Sequence, residues 1–598
     1  MDINDIQEQI IALEREIAML PAGSITTKKV NGGIYYYHRI PVEGKLKEIY
    51  IDAEKAVEMK AQIKHRKELE KKKKELQTHI PKSVKKAVDP INENIFHTNV
   101  RIGESLQKFV KPVKRYKKRF CFGQMRAFIY DDQTEKVLIL YGLRRTGKTT
   151  LIRQLLAEME ADELSHAVFM QMRSSNTLAD VNADLKRLES LGYKYVFIDE
   201  VTLMQDFIEG AALFSDIFAA SGMKIVLSGT DSLGFLFSED EQLFDRCVMI
   251  HTTFIPYREF EGVLGKHGID EYIRFGGTMS LSGVKYNEDS VFASAEKASE
   301  YVDSAIARNI QHSLQCYQGG GHFRNLRELY EKRELTSAIN RVVEDMNHRF
   351  TADTLTRAFK SSDLSISAGN LRRDRSNPTD ILDRVDVQEV TKQIKSALEI
   401  RNKEEQSVSV SQIHATEIRE YLKLLDLITE IEIVHYPNVR QRDSFDVITQ
   451  PGLRYVQADA LVNSLNQDGV FNELELSERN RVLQRIRNEI KGRMMEEIVL
   501  LETTMAHPKD RVFKLQFAIG EFDMVVCHSD EMTCEIFEIK HSTEIAPNQH
   551  RYLSDEEKCA AVEHLFGRII GKYVLYRGDP ATENDIKYIN VETYLNSL

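Results

Sequence analysis

The stretch KVLILYGLRRTGKTTLIRQLL, residues 136–156, decides how the chain is organised. Val137 to Tyr141 is a short apolar run of the kind that forms a buried strand, and the residues after Thr149 have helical spacing. Between them, Gly142 to Thr149 fits GxxxxGK[ST]. That pattern has a mechanism. Glycines let the backbone curl so that its amides point at a β-phosphate, at the positive end of the following helix. Lys148 brings charge to the β/γ oxygens, and Thr149 brings a hydroxyl to a magnesium ion. The loop residues Gly142, Arg145, Gly147, Lys148, Thr149 and Thr150 are therefore the expected nucleotide-binding set, with ATP and Mg²⁺ as cofactors.

Outward from this loop, residues 121–265 alternate apolar strands (KVLILYG, HAVFMQM, YKYVFIDEV, KIVLSGT) with helical stretches, the signature of a parallel sheet flanked by helices. The strand Tyr195 to Asp199 ends in two carboxylates. Asp199 is expected in the metal shell and Glu200 beside the attacking water. The strand from Lys224 ends in Ser228 and Thr230, either of which can place a hydroxyl near the γ-phosphate, although a plain strand exit also fits. Thr230 is taken into the nucleotide set.

YGLRRTGKTTLIRQLL, FIDEV, LSGTDS, Phe244-Asp-Arg246, Ile255-Pro-Tyr-Arg-Glu-Phe260 and Tyr272-Ile-Arg-Phe-Gly276-Gly277 occur in that order. Together they resemble the AAA-type ATPases of archaea and bacteria that carry a C-terminal restriction-endonuclease-like domain. The resemblance spans roughly residues 120–580. Two positions depart from it: Thr202 stands where Gln often follows DEV, and Asp245 stands where Gly usually precedes Arg. By resemblance Arg246 is a candidate arginine finger, and a surface arginine is the equal alternative.

The resemblance directs attention to a second constellation. Gly492-Arg-Met-Met-Glu496-Glu497 opens an amphipathic helical stretch, and Asp523 precedes Glu538-Ile-Lys540 by fifteen residues. Glu538 and Lys540, two apart on a strand, share a face. Asp523, Glu538 and Glu496 are expected to hold Mg²⁺ through hard oxygens while Lys540 orients the attacking water, as in a PD-(D/E)xK nuclease core. An inert or purely DNA-binding module can keep the same residues. Between the two regions, Val408 to Val434 reads as a short helix, a second helix beginning at His414 to Glu417, and a strand. The resemblance makes this a winged-helix unit; few Lys or Arg occur in it, so a packing adaptor fits equally.

The 598 residues exceed what one core organises, and 42% hydrophobic with 29% charged residues describe a folded, helix-rich protein. The net charge of −11 conceals an asymmetry: residues 1–120 carry 26 Lys and Arg against 16 Asp and Glu, a net of +10, which leaves −21 for the remainder. Helical periodicity over residues 2–20, a Tyr-rich antiparallel meander over 24–51 and a charged helix from Asp52 to about Thr78 make a basic arm able to meet phosphates and stack on bases, or simply a solvated helix on a small sheet. Cys121, Cys247, Cys316, Cys527, Cys534 and Cys559 form no CxxC pair. Cys527 and Cys534 read as ordinary thiols on adjacent hairpin strands rather than, with His528, a metal site. No uncharged run spans a bilayer and residues 1–10 lack a signal peptide's apolar core, which predicts a cytoplasmic protein without membrane partners.

The sequence thus predicts an α/β multidomain chain: a small basic α+β N-terminal arm (1–90), a linker (91–120), a P-loop AAA-type parallel-sheet domain (121–265), a helical region (266–400), a winged-helix-like unit (401–470) and a restriction-endonuclease-like α/β domain (471–598). The expected activity is Mg²⁺-dependent ATP hydrolysis coupled to binding or cleavage of nucleic acid, DNA foremost, with a homo-oligomer left open and no small-molecule substrate besides ATP. The alternative is an ATP-driven switch or adaptor whose nuclease-like domain only binds DNA or a partner protein.

Overall fold

The computed structural model describes residues 20–21, 23–30, 33–42, 45–78, 93–131, 135–230, 235, 243, 245–279, 290–316, 323–360, 410–464, 466 and 475–598. The helix expected over 2–20 and the segments 81–92 and 361–409 fall outside them, apart from Leu20. The chain divides into two compact units, Met1–Asn92 and Glu93–Leu598.

In the first unit β1 (Ser24–Val30), β2 (Gly33–Val42) and β3 (Lys45–Ile51) form an antiparallel meander, followed by α1 (Ala53–Thr78). Asp52 starts that helix by accepting the Lys55 N–H at 2.7 Å.

Among the described residues the second unit contains two sheets. The first comprises β4 (Asn99–Arg101), β5 (Val137–Tyr141), β6 (Ala167–Gln171), β7 (Tyr195–Asp199), β8 (Lys224–Gly229) and β9 (Cys247–His251), in the order β4-β6-β7-β8-β5-β9. All pairs from β6 to β9 are parallel. The strands are buried on both faces, as a parallel sheet covered by helices requires. The strand order reverses at β5, so the chain leaving it enters the crevice where such sheets bind ligands.

Residues 91–120 are not a linker from Glu93 onward. β4 adds antiparallel to β6, and the helix α2 (Gly103–Val110) with the turn after it buries Leu106, Val110 and Val113 in the first sheet's core. Asp184 pins this edge by accepting the N–H groups of His97 and Thr98 at 2.9 and 2.8 Å. Prolines and positive charge suggest a linker, but the three apolar positions between them find a partner surface only in the fold.

After α3 (Phe122–Tyr130), α4 (Lys148–Glu158), α5 (Leu178–Ser190), α6 (Tyr257–Gly262) and α7 (Ile269–Phe275), the chain builds a helical layer. It holds α8 (Ala295–Tyr301) and α9 (Arg308–Cys316), joined by a π-helical turn, then α10 (Arg324–Glu331), α11 (Leu335–Lys360) and α12 (Gln412–Leu424). The second sheet has the order β11-β10-β12-β13-β14-β15-β17-β16, with β10 (Ile428–His435), β11 (Arg442–Ile448), β12 (Arg511–Gln516), β13 (Glu521–His528), β14 (Thr533–Ile539), β15 (Arg568–Tyr576), β16 (Ala581–Glu583) and β17 (Ile586–Asn590). The helices α13 (Pro451–Ser464), α14 (Leu476–Ala506), α15 (Glu556–Phe566) and α16 (Val591–Ser597) accompany it.

Two expectations change here. Residues 428–448 do not form a separate winged-helix unit: β10 pairs parallel with β12, from Glu432 opposite Phe513 to His435 opposite Gln516, so the hairpin extends the C-terminal sheet. A single helix with its N-cap at Ser411 precedes it among the described residues, and it does not begin at His414. Gly492 to Glu496 is the middle of a 31-residue helix rather than its start. Cys527 does lie opposite Cys534 on antiparallel strands, both thiols free.

Candidate nucleotide site and carboxylate cluster

The curl of the phosphate loop is enforced by its glycines. Gly142 has φ +140°, and a Cβ there would lie 2.3 Å from the Thr252 carbonyl. Gly147, at φ +92°, is the N-cap of α4, which aims that helix's free N–H groups into the loop. Lys148 is 6% exposed and its ammonium donates to the Gly142 and Leu143 carbonyls, both at 2.8 Å. Thr149 Oγ1 donates to Asp199 Oδ2 at 2.7 Å. Ser228 Oγ donates to the other Asp199 oxygen, and Thr230 Oγ1 to Glu200 Oε2 at 3.3 Å. The ends of β7 and β8 therefore meet the start of α4. Arg144, Arg145, Gly147, Lys148, Thr149, Thr150, Glu200, Thr230 and Met279 line a cleft of about 260 Å³ over the loop.

Burial lowers the Lys148 ammonium to about 8, a pull that the charges of Glu200 and Asp199 only partly offset. Burial raises the Glu200 carboxyl against the opposing Lys148 charge. Glu200 also has φ +56°, a conformation that costs a non-glycine residue on the order of 1 kcal/mol or more and aims its carboxylate at the cleft. A buried hydroxyl–carboxylate pair beside a phosphate loop suits Mg²⁺: Thr149 and Asp199 would hold it, with Ser228 fixing the Asp199 rotamer.

In the C-terminal sheet, Asp523 on β13, Glu538 on β14 and Lys540 just beyond β14 converge. Lys540 Nζ lies 2.8 Å from Asp523 Oδ2 and 2.6 Å from Glu538 Oε2, and the Ile539 N–H donates to Asp523 at 2.8 Å. Burial would raise Asp523, but the Lys540 and Lys514 ammonium charges overcome it and hold the carboxyl well below its usual range. Burial and the Asp523 charge push Glu538 up. Its Oε1 is buried without a hydrogen bond. Glu496 does not join as a third ligand. It pairs with Arg493 at 2.6 Å and faces Lys514 at 3.5 Å; Lys514, in turn, lies 2.8 Å from Glu521. Among the described residues no group of three or more His, Cys, Asp or Glu side chains is placed to hold a metal ion. The expected trio is thus two carboxylates bridged by Lys540, with Glu496 separated from Asp523 by the Lys514 ammonium, which faces Asp523 at 3.9 Å; with lysines between the carboxylates, the arrangement does not fit a metal-ligand set.

Residues 134–261 match the model of a family described as an AAA domain. These residues are similar to an AAA domain. Residues 3–61 match a family described as a domain of unknown function (DUF6788). No curated protein sequence matches the chain. Among solved structures, the Orc1 protein of Aeropyrum pernix in complex with DNA aligns at 13% identity over 63% of this chain and 99% of that one, with a TM-score of 0.20. A structure described as the basis for katanin self-assembly aligns at 16% identity over 38% and 77%, with a TM-score of 0.17. At these scores the functional reading rests on the site itself.

The structure gathers Arg145, Gly147, Lys148, Thr149, Thr150, Glu200 and Thr230 around one cleft, with Gly142 and Asp199 bonded to Lys148 and Thr149, but places Arg246 elsewhere. Arg246 precedes β9, level with Val137 at the start of β5, so about 13 Å of strand separates it from its own phosphate loop. Its side chain is 48% exposed and pairs with Asp216 at 2.8 Å. Arg119, which nothing local in the sequence singles out, is buried under the loop. It donates to the Thr146 carbonyl at 2.8 Å, to Thr253 and Phe254 carbonyls at 3.1 Å, and to Glu259 at 2.5 Å. Met279, whose N–H bonds the Arg145 carbonyl at 2.9 Å, also closes the cleft and carries no sequence signal.

Proposed function

We propose that the chain is an ATP hydrolase whose AAA domain drives the binding or cleavage of nucleic acid by its C-terminal nuclease-like module. The convergence of Lys148, Thr149, Asp199, Glu200 and Thr230 on one cleft supports the first half. Lys148 and the α4 N-terminus hold the phosphates. Mg²⁺ on Thr149 and Asp199 would neutralise charge developing on the β- and γ-oxygens. Glu200, raised by burial and held by Thr230, orients the attacking water and accepts its proton. Thr230, itself held through its carbonyl by Asn309 at 2.7 Å, links that event to the helical layer. Arg246, remote from its own loop, can act as an arginine finger only on the nucleotide of a neighbouring copy in a homo-oligomer.

A steady-state assay tests this reading: Lys148→Ala protein should lose ATP hydrolysis, and an unchanged rate would refute it. A second reading, an ATP-driven switch whose C-terminal module binds DNA or a protein without cutting, is favoured by Lys540 occupying one oxygen each of Asp523 and Glu538. Plasmid and linear DNA incubated with Mg²⁺, with and without ATP, separate the two. Cleavage lost in both Asp523→Ala and Lys540→Ala supports a nuclease, and uncut DNA beside normal ATP hydrolysis supports the switch.

A further inference from the structure

The N-terminal meander has two unlike faces. The register places Ile25 and His38 in one cross-strand row, and Thr26, Tyr37 and Tyr50 in the next, so the two rows project to opposite sides. β1 and β2 pack on α1, and among the described residues the buried side chains are His38 on the sheet and Ala56, Ile63 and Leu69 on the helix. The other face carries Tyr50, 58% exposed, with its ring centroid 5.9 Å from that of Tyr37 in an edge-to-face pair. Lys28 sits two residues from Thr26 on the same face, its ammonium 4.9 Å from the Tyr37 ring centroid, and Arg39 flanks Tyr37 there. Residues 20–78 hold 14 Lys and Arg against 8 Asp and Glu, so the surroundings of this aromatic pair are cationic.

We infer that this face is a stacking platform for single-stranded nucleic acid. An exposed tyrosine ring offers a flat surface to any unpaired base, a duplex hides its base faces, and Lys28 and Arg39 stand where the backbone of a stacked strand would run. The arrangement selects strandedness rather than sequence, since every base has a π-face. It stands independently of the ATPase reading, and Lys148→Ala should leave it intact.

The chain contains no tryptophan, so Tyr50→Trp introduces a single reporter at the platform. With the full-length variant, titration of oligothymidylate or oligouridylate of about 20 nucleotides, longer than the roughly 4–16 that one such module covers, should quench and shift the emission of the introduced indole. A duplex of equal length should do neither. In anisotropy titrations against the wild-type chain, Tyr50→Ala should weaken single-strand binding by about 5- to 150-fold, the loss expected for one stacked base. Tyr50→Phe, which keeps the ring, should restore it, and both variants should hydrolyse ATP at the wild-type rate. Lys28→Ala with Arg39→Ala should flatten the salt dependence, each phosphate contact contributing a slope of about −0.7 for a single strand. A stronger response to the thymidylate or to the uridylate identifies the natural strand and supports the platform. An unquenched reporter, a Tyr50→Ala affinity within twofold of wild type, or a duplex that binds the platform as well as a single strand would overturn it.

Discussion

Lys148 illustrates how a single side chain inherits its chemistry from burial. Its ammonium titrates near 8 because the loop shields it from water, while the phosphates it serves need it charged. ATP binding should therefore weaken as pH rises above about 8, with the dissociation constant growing up to about tenfold per pH unit as one proton must be taken up with the nucleotide. Calorimetric titrations from pH 6.5 to 9.5 check this, and a flat profile would refute it. Glu200 makes the complementary prediction. Its carboxyl lines the cleft and accepts from the Thr230 hydroxyl, so Glu200→Gln should bind ATP normally while turnover falls by about 10² to 10⁴. These residues are legible in the sequence because a phosphate loop is a local device: eight consecutive residues contain the curl, the charge and the hydroxyl. Asp199 and Glu200 are legible because a strand end fixes their position. Met279 is not, since it reaches the cleft through one long-range backbone hydrogen bond to Arg145.

Among the elements, the segment 93–120 has the composition of a linker and the role of a brace. Arg119 lies near its end, and its guanidinium ties the Thr146 carbonyl of the phosphate loop to Glu259 on α6. Both charges are almost fully buried, so removing one partner leaves the other desolvated. Arg119→Ala should cost about 3–5 kcal/mol in denaturant unfolding, and the Arg119→Ala/Glu259→Ala double variant should recover part of that loss. Equal destabilisation in the single and double variants would show that the backbone contacts alone matter. The hairpin β10–β11 carries the same lesson. Its alternating pattern identifies a strand, but strand pairing is decided by partners that lie about eighty residues away, and β12 rather than a wing is the partner.

Across the whole second unit, two buried carboxyls clamp the end of the AAA domain to the elements beyond it. Asp426, just before β10, accepts the Phe254 N–H, and Glu502 on α14 accepts the Tyr257 N–H at 2.8 Å. Burial raises each to about 7, from ordinary values of 3.8 and 4.5. A carboxyl raised on folding contributes stability that is present below its unfolded value and is lost as pH rises through the folded one. The melting temperature of Asp426→Asn/Glu502→Gln protein should therefore match wild type at about pH 3, below both unfolded values, and exceed it increasingly up to pH 8, with about 3–4 kcal/mol released per site. A difference that does not change with pH would refute the assignment.

By itself the sequence determined the nucleotide loop, the strand-ending carboxylates and the alternation that makes a parallel sheet, because each is written in contiguous residues with a fixed geometric consequence. It also placed Glu538 and Lys540 on one face, since a period of two does so along a strand, whereas the pairing of β13 with β14 is what sets Asp523 beside them. Only the tertiary structure decided that Arg119 braces the loop, that Arg246 lies at the far end of the sheet, and that Glu496 is paired with Arg493 and faces Asp523 across the Lys514 ammonium. Those outcomes depend on which surfaces meet across tens or hundreds of residues, and on charges competing for partners within low-dielectric space, neither of which a local pattern encodes.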